Sequence, residues 1–78
     1  MSCEDHKAGD PLTITFTPQD IDDVRYFVGT REVVYTSLVE NPPGTFTATF
    51  SGATTAGHAG ETFEVREGTT VLACRKLI

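Results

Sequence analysis

Apolar and polar residues alternate along much of the chain. In Leu12-Thr13-Ile14-Thr15-Phe16-Thr17 and in Thr45-Phe46-Thr47-Ala48-Thr49-Phe50 every second side chain is apolar, and threonine fills the gaps. A period of two marks a strand buried on one face only. Leu12, Ile14 and Phe16, and later Phe46, Ala48 and Phe50, are therefore expected to point inward.

The densest apolar pattern lies in the last eighteen residues, Glu61 to Ile78. It predicts a β-hairpin with a three-residue loop at Arg66-Glu67-Gly68, Gly68 taking the left-handed position of a bulged turn. In that register Val65 faces Thr69 and Phe63 faces Val71, and Phe63, Val65, Val71 and Ala73 share one face. Val71-Leu72-Ala73-Cys74 is apolar on both sides, which predicts a strand that is central or covered on its second face.

Between these stretches, Val24 to Tyr35 supports a second hairpin. Gly29-Thr30 fits a two-residue type II′ turn, with glycine at its first central position. The register then pairs Val28 with Arg31, Phe27 with Glu32, Tyr26 with Val33, Arg25 with Val34 and Val24 with Tyr35. Arg25 and Glu32 fall diagonally on one face, where opposite charges attract. A rival reading runs a helix through Ile21, Val24 and Val28, capped by Thr17 with Pro18 at its first position. The hairpin is preferred because Val, Tyr and Phe are strand formers and the register works on both faces; residues 18 to 22 then form a turn or a single helical turn.

Val33 to Val39 is expected to continue as one strand until Asn41-Pro42-Pro43-Gly44 breaks it. Ser51 to Gly60, small residues with three glycines, predicts a mobile surface loop. Residues 1–11 are polar and predict a flexible arm ahead of a single β domain at 12–78. The fold class expected is all-β: a small antiparallel sandwich or barrel of about six short strands.

Length and charge narrow the function. A chain of 78 residues buries only about 60% of its unfolded surface, which leaves little room for both a core and an enclosed active site. The net charge is −5, and it is uneven. Residues 1–40 hold Glu4, Asp5, Asp10, Asp20, Asp22, Asp23, Glu32 and Glu40 against Lys7, Arg25 and Arg31, while the remainder balances. Nucleic acids and anionic membranes both require a cationic surface, so neither is an expected partner. The polar start, Met1 to Lys7, has no apolar signal core, and no segment approaches the roughly 20 apolar residues of a membrane helix. These features predict a location in the cytoplasm or in an assembled particle.

Candidate chemistry is sparse. Cys3 and Cys74 are expected to stay unpaired, because that compartment is reducing. Cys3, His6, His58 and Cys74 could in principle form a zinc set, but zinc ligands come as two close pairs and only Cys3 and His6 are close. The acids of Asp20-Ile21-Asp22-Asp23 lack the glycine and bidentate glutamate of a calcium loop. His58 has no acid beside it to orient it as a base. No catalytic residue, metal ligand or cofactor is expected, and the chain is read as a non-enzyme.

The remaining expectation is a structural or assembly module that contacts a protein partner, or copies of itself, through sheet surface or an edge strand. A virus or phage particle component would be of this kind. Leu72, Cys74, Leu77 and Ile78 on the two-sided final strand are the expected contacts. The alternative is a small ligand-binding β module using loops 40–44 and 51–60, with His58 at its rim.

Overall fold

The computed structural model describes residues 3–78. The fold is all-β, with eight strands in two sheets. They are β1 (Glu4–His6), β2 (Leu12–Phe16), β3 (Val24–Val28), β4 (Arg31–Val33), β5 (Ser37–Glu40), β6 (Phe46–Phe50), β7 (Thr62–Glu67) and β8 (Thr70–Leu77). The larger sheet runs β1-β8-β7-β3-β4 and the smaller one β2-β6-β5.

The two sheets bury the faces that alternation assigns to the inside. Leu12, Ile14 and Phe16 of β2 are buried, as are Ala48 and Phe50 of β6, while Thr13 and Thr15 stay exposed. From the larger sheet come Val24, Tyr26, Val28, Phe63, Val65 and Leu77. Aromatic rings join the layers edge to face. Phe50 meets Phe63 at 4.8 Å and Tyr26 at 5.3 Å, and Phe16 meets Tyr26 at 5.9 Å between ring centroids. Each fully buried Phe, Leu, Ile or Val stabilises the fold by roughly 1.5–3 kcal/mol relative to exposure. The arrangement is a two-layer sandwich of five strands on three.

The β3–β4 hairpin adopts the expected register: Tyr26 pairs Val33, Phe27 pairs Glu32 and Val28 pairs Arg31. Gly29 sits at φ +62°, as the first central residue of a type II′ turn must. The preceding segment is a one-turn 3-10 helix at Ile21–Asp23, capped by the Asp20 carboxylate, which accepts from the Asp22 N–H at 3.0 Å.

Five expectations are corrected. Val33 to Val39 is not one strand. β4 ends at Val33, residues 34–36 cross to the other sheet, and β5 resumes against β6. Thr36 makes the switch: its N–H and its hydroxyl both donate to the Thr49 carbonyl, at 2.8 and 2.9 Å. The Arg25–Val34 and Val24–Tyr35 pairs therefore do not form.

The β7–β8 hairpin turns at Gly68-Thr69, two residues and not three, with Glu67 opposite Thr70. Gly68 has φ +60° and leads the turn. Arg66 then pairs Val71 but Val65 pairs Ala73, so Leu72 is the extra residue of a bulge. The bulge puts Val71 on the outer face with Arg66 and leaves Ala73 inside beside Val65.

The expected N-terminal arm is ordered in part. Residues 4–6 form β1, which pairs with β8 in parallel and so departs from a purely antiparallel sheet. Glu4 and Asp5 fall beside Arg75 and Lys76, a favourable cross-strand charge order. Cys3 and Cys74 are joined in a disulfide, with Cα atoms 5.1 Å apart. Cys74 lies on the outer face opposite Glu64, and Cys3 is the cover that the two-sided apolar strand required.

The loop at 51–60 has an anchor. Gly52–Thr55 makes a single helical turn, α1, and Thr55 is fully buried. Its hydroxyl accepts from the Gly9 N–H at 3.0 Å. A side chain at Gly52 would collide with the Gly9 carbonyl oxygen, so glycine is what lets the two backbones meet there.

Candidate functional site: the open side of the sandwich

Residues 31–40 form one continuous open side. β4 is the outermost strand of the larger sheet, β5 is outermost in the smaller one, and residues 34–36 bridge them. No strand of the described residues covers either. The Asn41 N–H donates to the Thr45 carbonyl at 2.9 Å, in step with the pairing of Val39 to Thr47 and Ser37 to Thr49. Antiparallel strands alternate their backbone groups from one neighbour to the other. Leu38 and Glu40 therefore turn their N–H and C=O groups outward, where a further strand would bond.

Among the described residues, three of the four large apolar residues that stay exposed fall in this stretch, the fourth being Ile78 after β8. Val34 is 78% exposed, Val39 54% and Tyr35 43%. A cleft of about 290 Å³ lies against the crossover. Val24 and Tyr26 are its buried floor, and Ile21, Val33, Val34 and Tyr35 its apolar walls. Tyr35 meets Tyr26 edge-on at 5.7 Å. Burial, with a smaller contribution from the neighbouring Tyr35, pushes the Tyr26 phenol up to about 12.

The rim is charged. The Arg25 Nε approaches Glu32 at 3.7 Å, and both side chains are more than half exposed, so the pair contributes little to stability. One guanidinium nitrogen of Arg25 also donates to the Asp22 and Val24 carbonyls, at 3.1 and 3.0 Å. That ties the 3-10 turn to the sheet and fixes one wall of the cleft. Asp22 of that wall is exposed, as are Asp20 and Asp23 on either side of it. An apolar centre inside a polar rim is the usual anatomy of a protein contact surface.

No known protein family, curated protein or solved structure matches this chain. The open side must be read from its own chemistry.

The four contacts expected on the last strand are placed differently. Cys74 is 4% exposed and bonded to Cys3, and Leu77 is fully buried, so neither can touch a partner. The disulfide and the bulge account for the two-sided pattern. Ile78 is exposed, with its backbone N–H bonded to the His6 carbonyl at 2.9 Å. Leu72 is half-buried and lines a broader, polar cleft of about 560 Å³ with Thr17, Gln19, Arg25 and Glu67. The Glu67 carboxylate there already accepts from the Gln19 and Asp20 N–H groups, at 3.0 and 2.6 Å.

His58 stands between two partners. With Nδ1 protonated it donates to Glu61 at 2.5 Å, and its Nε2 accepts from the Arg31 guanidinium at 2.8 Å. The nitrogen a general base would use is thus engaged by an arginine. The arrangement clasps the 58–61 loop to the start of β4. Glu61, three residues after His58, is the acid that a search restricted to adjacent residues overlooks. Loops 40–44 and 51–60 lie at opposite ends of β6 and do not form one rim. The four-residue zinc set does not assemble, because Cys3 and Cys74 bond each other and His6 bonds the Asp10 carbonyl at 3.1 Å. Among the described residues no helix is long and apolar enough to cross a membrane.

Proposed function

We propose that this chain is a non-enzymatic assembly module that contacts a partner subunit through its open side. The supporting observation is that Val34 and Tyr35 on the crossover, and Val39 on the edge strand β5 that follows it, are all exposed. Small domains rarely leave apolar side chains contiguous on one side unless something covers them. A three-residue strand such as β4 offers little edge for unwanted pairing, whereas β5 keeps outward backbone groups that can accept a partner strand. β2, at the opposite edge of the smaller sheet, exposes Thr13 and Thr15 and no large apolar side chain, and serves as an internal control.

The test is position-specific photo-crosslinking in the cells that make the protein. A photoreactive residue at Val34 or Val39 is expected to give a discrete crosslinked species, and one at Thr13 or Thr15 none. Equal crosslinking from both edges, or none from either, refutes the reading.

A further inference from the structure

We infer that the cleft on the open side takes an extended segment of a partner protein that sets a lysine or arginine beside a large aliphatic side chain. This rests on the open-side reading above and specifies what the partner brings. The cleft holds about 290 Å³, which is below the usual range for small-molecule pockets but suits one or two side chains. Its floor and walls at Val24, Tyr26, Ile21, Val33 and Val34 offer no uncharged polar side chain apart from the tyrosine hydroxyls, so an aliphatic group is what fits.

Charge supplies the second requirement. Asp22 of the 3-10 turn lines the cleft, with Asp20, the residue that caps the turn, and Asp23 flanking it in sequence, and among the described residues none of the three is in an ion pair. Asp22, Glu32 and Arg25 all line the cleft, which leaves one net negative charge on its wall. Arg25, the cation nearest them, is held by Glu32 and by two backbone carbonyls. Electrostatic complementarity then selects a cationic neighbour for the aliphatic anchor. A second copy of this chain is disfavoured by the same charges. A two-fold contact would bring two copies of the acidic wall into one interface, in a protein of net charge −5. The outward backbone groups of Leu38 and Glu40 favour an extended segment, which can add to β5 as a strand.

The experiment uses the full, disulfide-bonded chain labelled with ¹⁵N. It is titrated with an alternating Val-Lys hexapeptide and with the matching Val-Glu hexapeptide, and amide shifts are followed by NMR. The Val-Lys peptide is expected to move Asp22, Val33, Val34 and Tyr35, at least tenfold more tightly than its acidic counterpart. The triple variant Asp20→Asn, Asp22→Asn, Asp23→Asn should weaken that binding about tenfold, the combined effect of three exposed charge pairs. Asparagine at position 20 still caps the turn, which keeps the fold intact. Absence of shifts with the Val-Lys peptide, equal binding of both peptides, or a concentration-dependent homodimer that buries Val34 overturns the inference. If Val34 crosslinks in cells while the Val-Lys peptide fails, this inference falls and the open-side reading stands. If Val34 gives no crosslink, the open-side reading falls with it.

Discussion

Breaking the Cys3–Cys74 bond should remove a large share of this protein's stability. The cysteines are 71 positions apart, so the bond closes almost the whole chain into one loop. For a loop of that size the chain-entropy relation gives about 4 kcal/mol of stabilisation through restriction of the unfolded state. A domain of this length has a total stability of only about 4–12 kcal/mol. The bond therefore separates a robust fold from a marginal one. Urea unfolding of oxidised and reduced protein, followed by circular dichroism, measures the difference. With a slope of about 1 kcal/mol per molar for so small a chain, the midpoint should fall by roughly 3–4 M on reduction. The Cys3→Ala, Cys74→Ala variant should reproduce the reduced value and lose its sensitivity to reductant. Two freely alkylated thiols in unreduced protein, or a midpoint shift below about 1 M, would refute the reasoning.

Alkaline conditions should weaken the fold through Tyr26. Its phenol ionises near 10 when unfolded but only at about 12 in the native state, so above pH 10 the unfolded chain loses its proton first. The stabilisation is complete below pH 10 and is lost as pH rises through 12, by roughly 2 kcal/mol at pH 12. Urea midpoints at pH 9 and 11.5 should show this slope in the wild type and a much flatter one in Tyr26→Phe; identical slopes would contradict it. Gly29 and Gly68 have nearly the same φ, +62° and +60°, but a Cβ at Gly29 would strike the Glu61 carboxylate while one at Gly68 meets open space. Gly68→Ala should cost about 1–2 kcal/mol for the left-handed backbone alone, and Gly29→Ala measurably more. Placing Gly29→Ala in a Glu61→Ala background should remove the excess; if it persists, the contact with Glu61 is not its cause.

Alternation was a dependable guide wherever a strand keeps one face in the core from end to end. β2, β6 and the β3–β4 hairpin are such strands, and glycine at position 29 set the last of these in register. The same counting failed at β8, because the bulge at Leu72 shifts the period by one residue and nothing in Val71-Leu72-Ala73 marks it. It failed again at Val33 to Val39, where strand-forming residues run without a proline or glycine while the chain changes sheets. The switch depends on Thr36 reaching a carbonyl thirteen positions away. The Cys3–Cys74 bond and the Arg31–His58 contact are spatial coincidences of β1, β4 and the 58–61 loop, and no local pattern encodes them. The open side was legible only as a kind of surface. Its place depended on which strands end up outermost, and that is a property of strand order.

The bond beside β1 also sets how the molecule would carry mechanical load. β1 and β8 run parallel, and Cys3 is fastened to Cys74 near the end of β8. Tension applied between residues 3 and 78 passes across the sulfur atoms and along Arg75 to Ile78. It does not travel through the strands in between. The hydrophobic layers and the open side are thus spared the pull, and only the short parallel ladder of β1 on β8 is sheared. Once the bond is reduced the same tension runs through the entire sandwich. An oxidised copy would behave under force as a short inextensible link, and a reduced copy as a chain that can unravel.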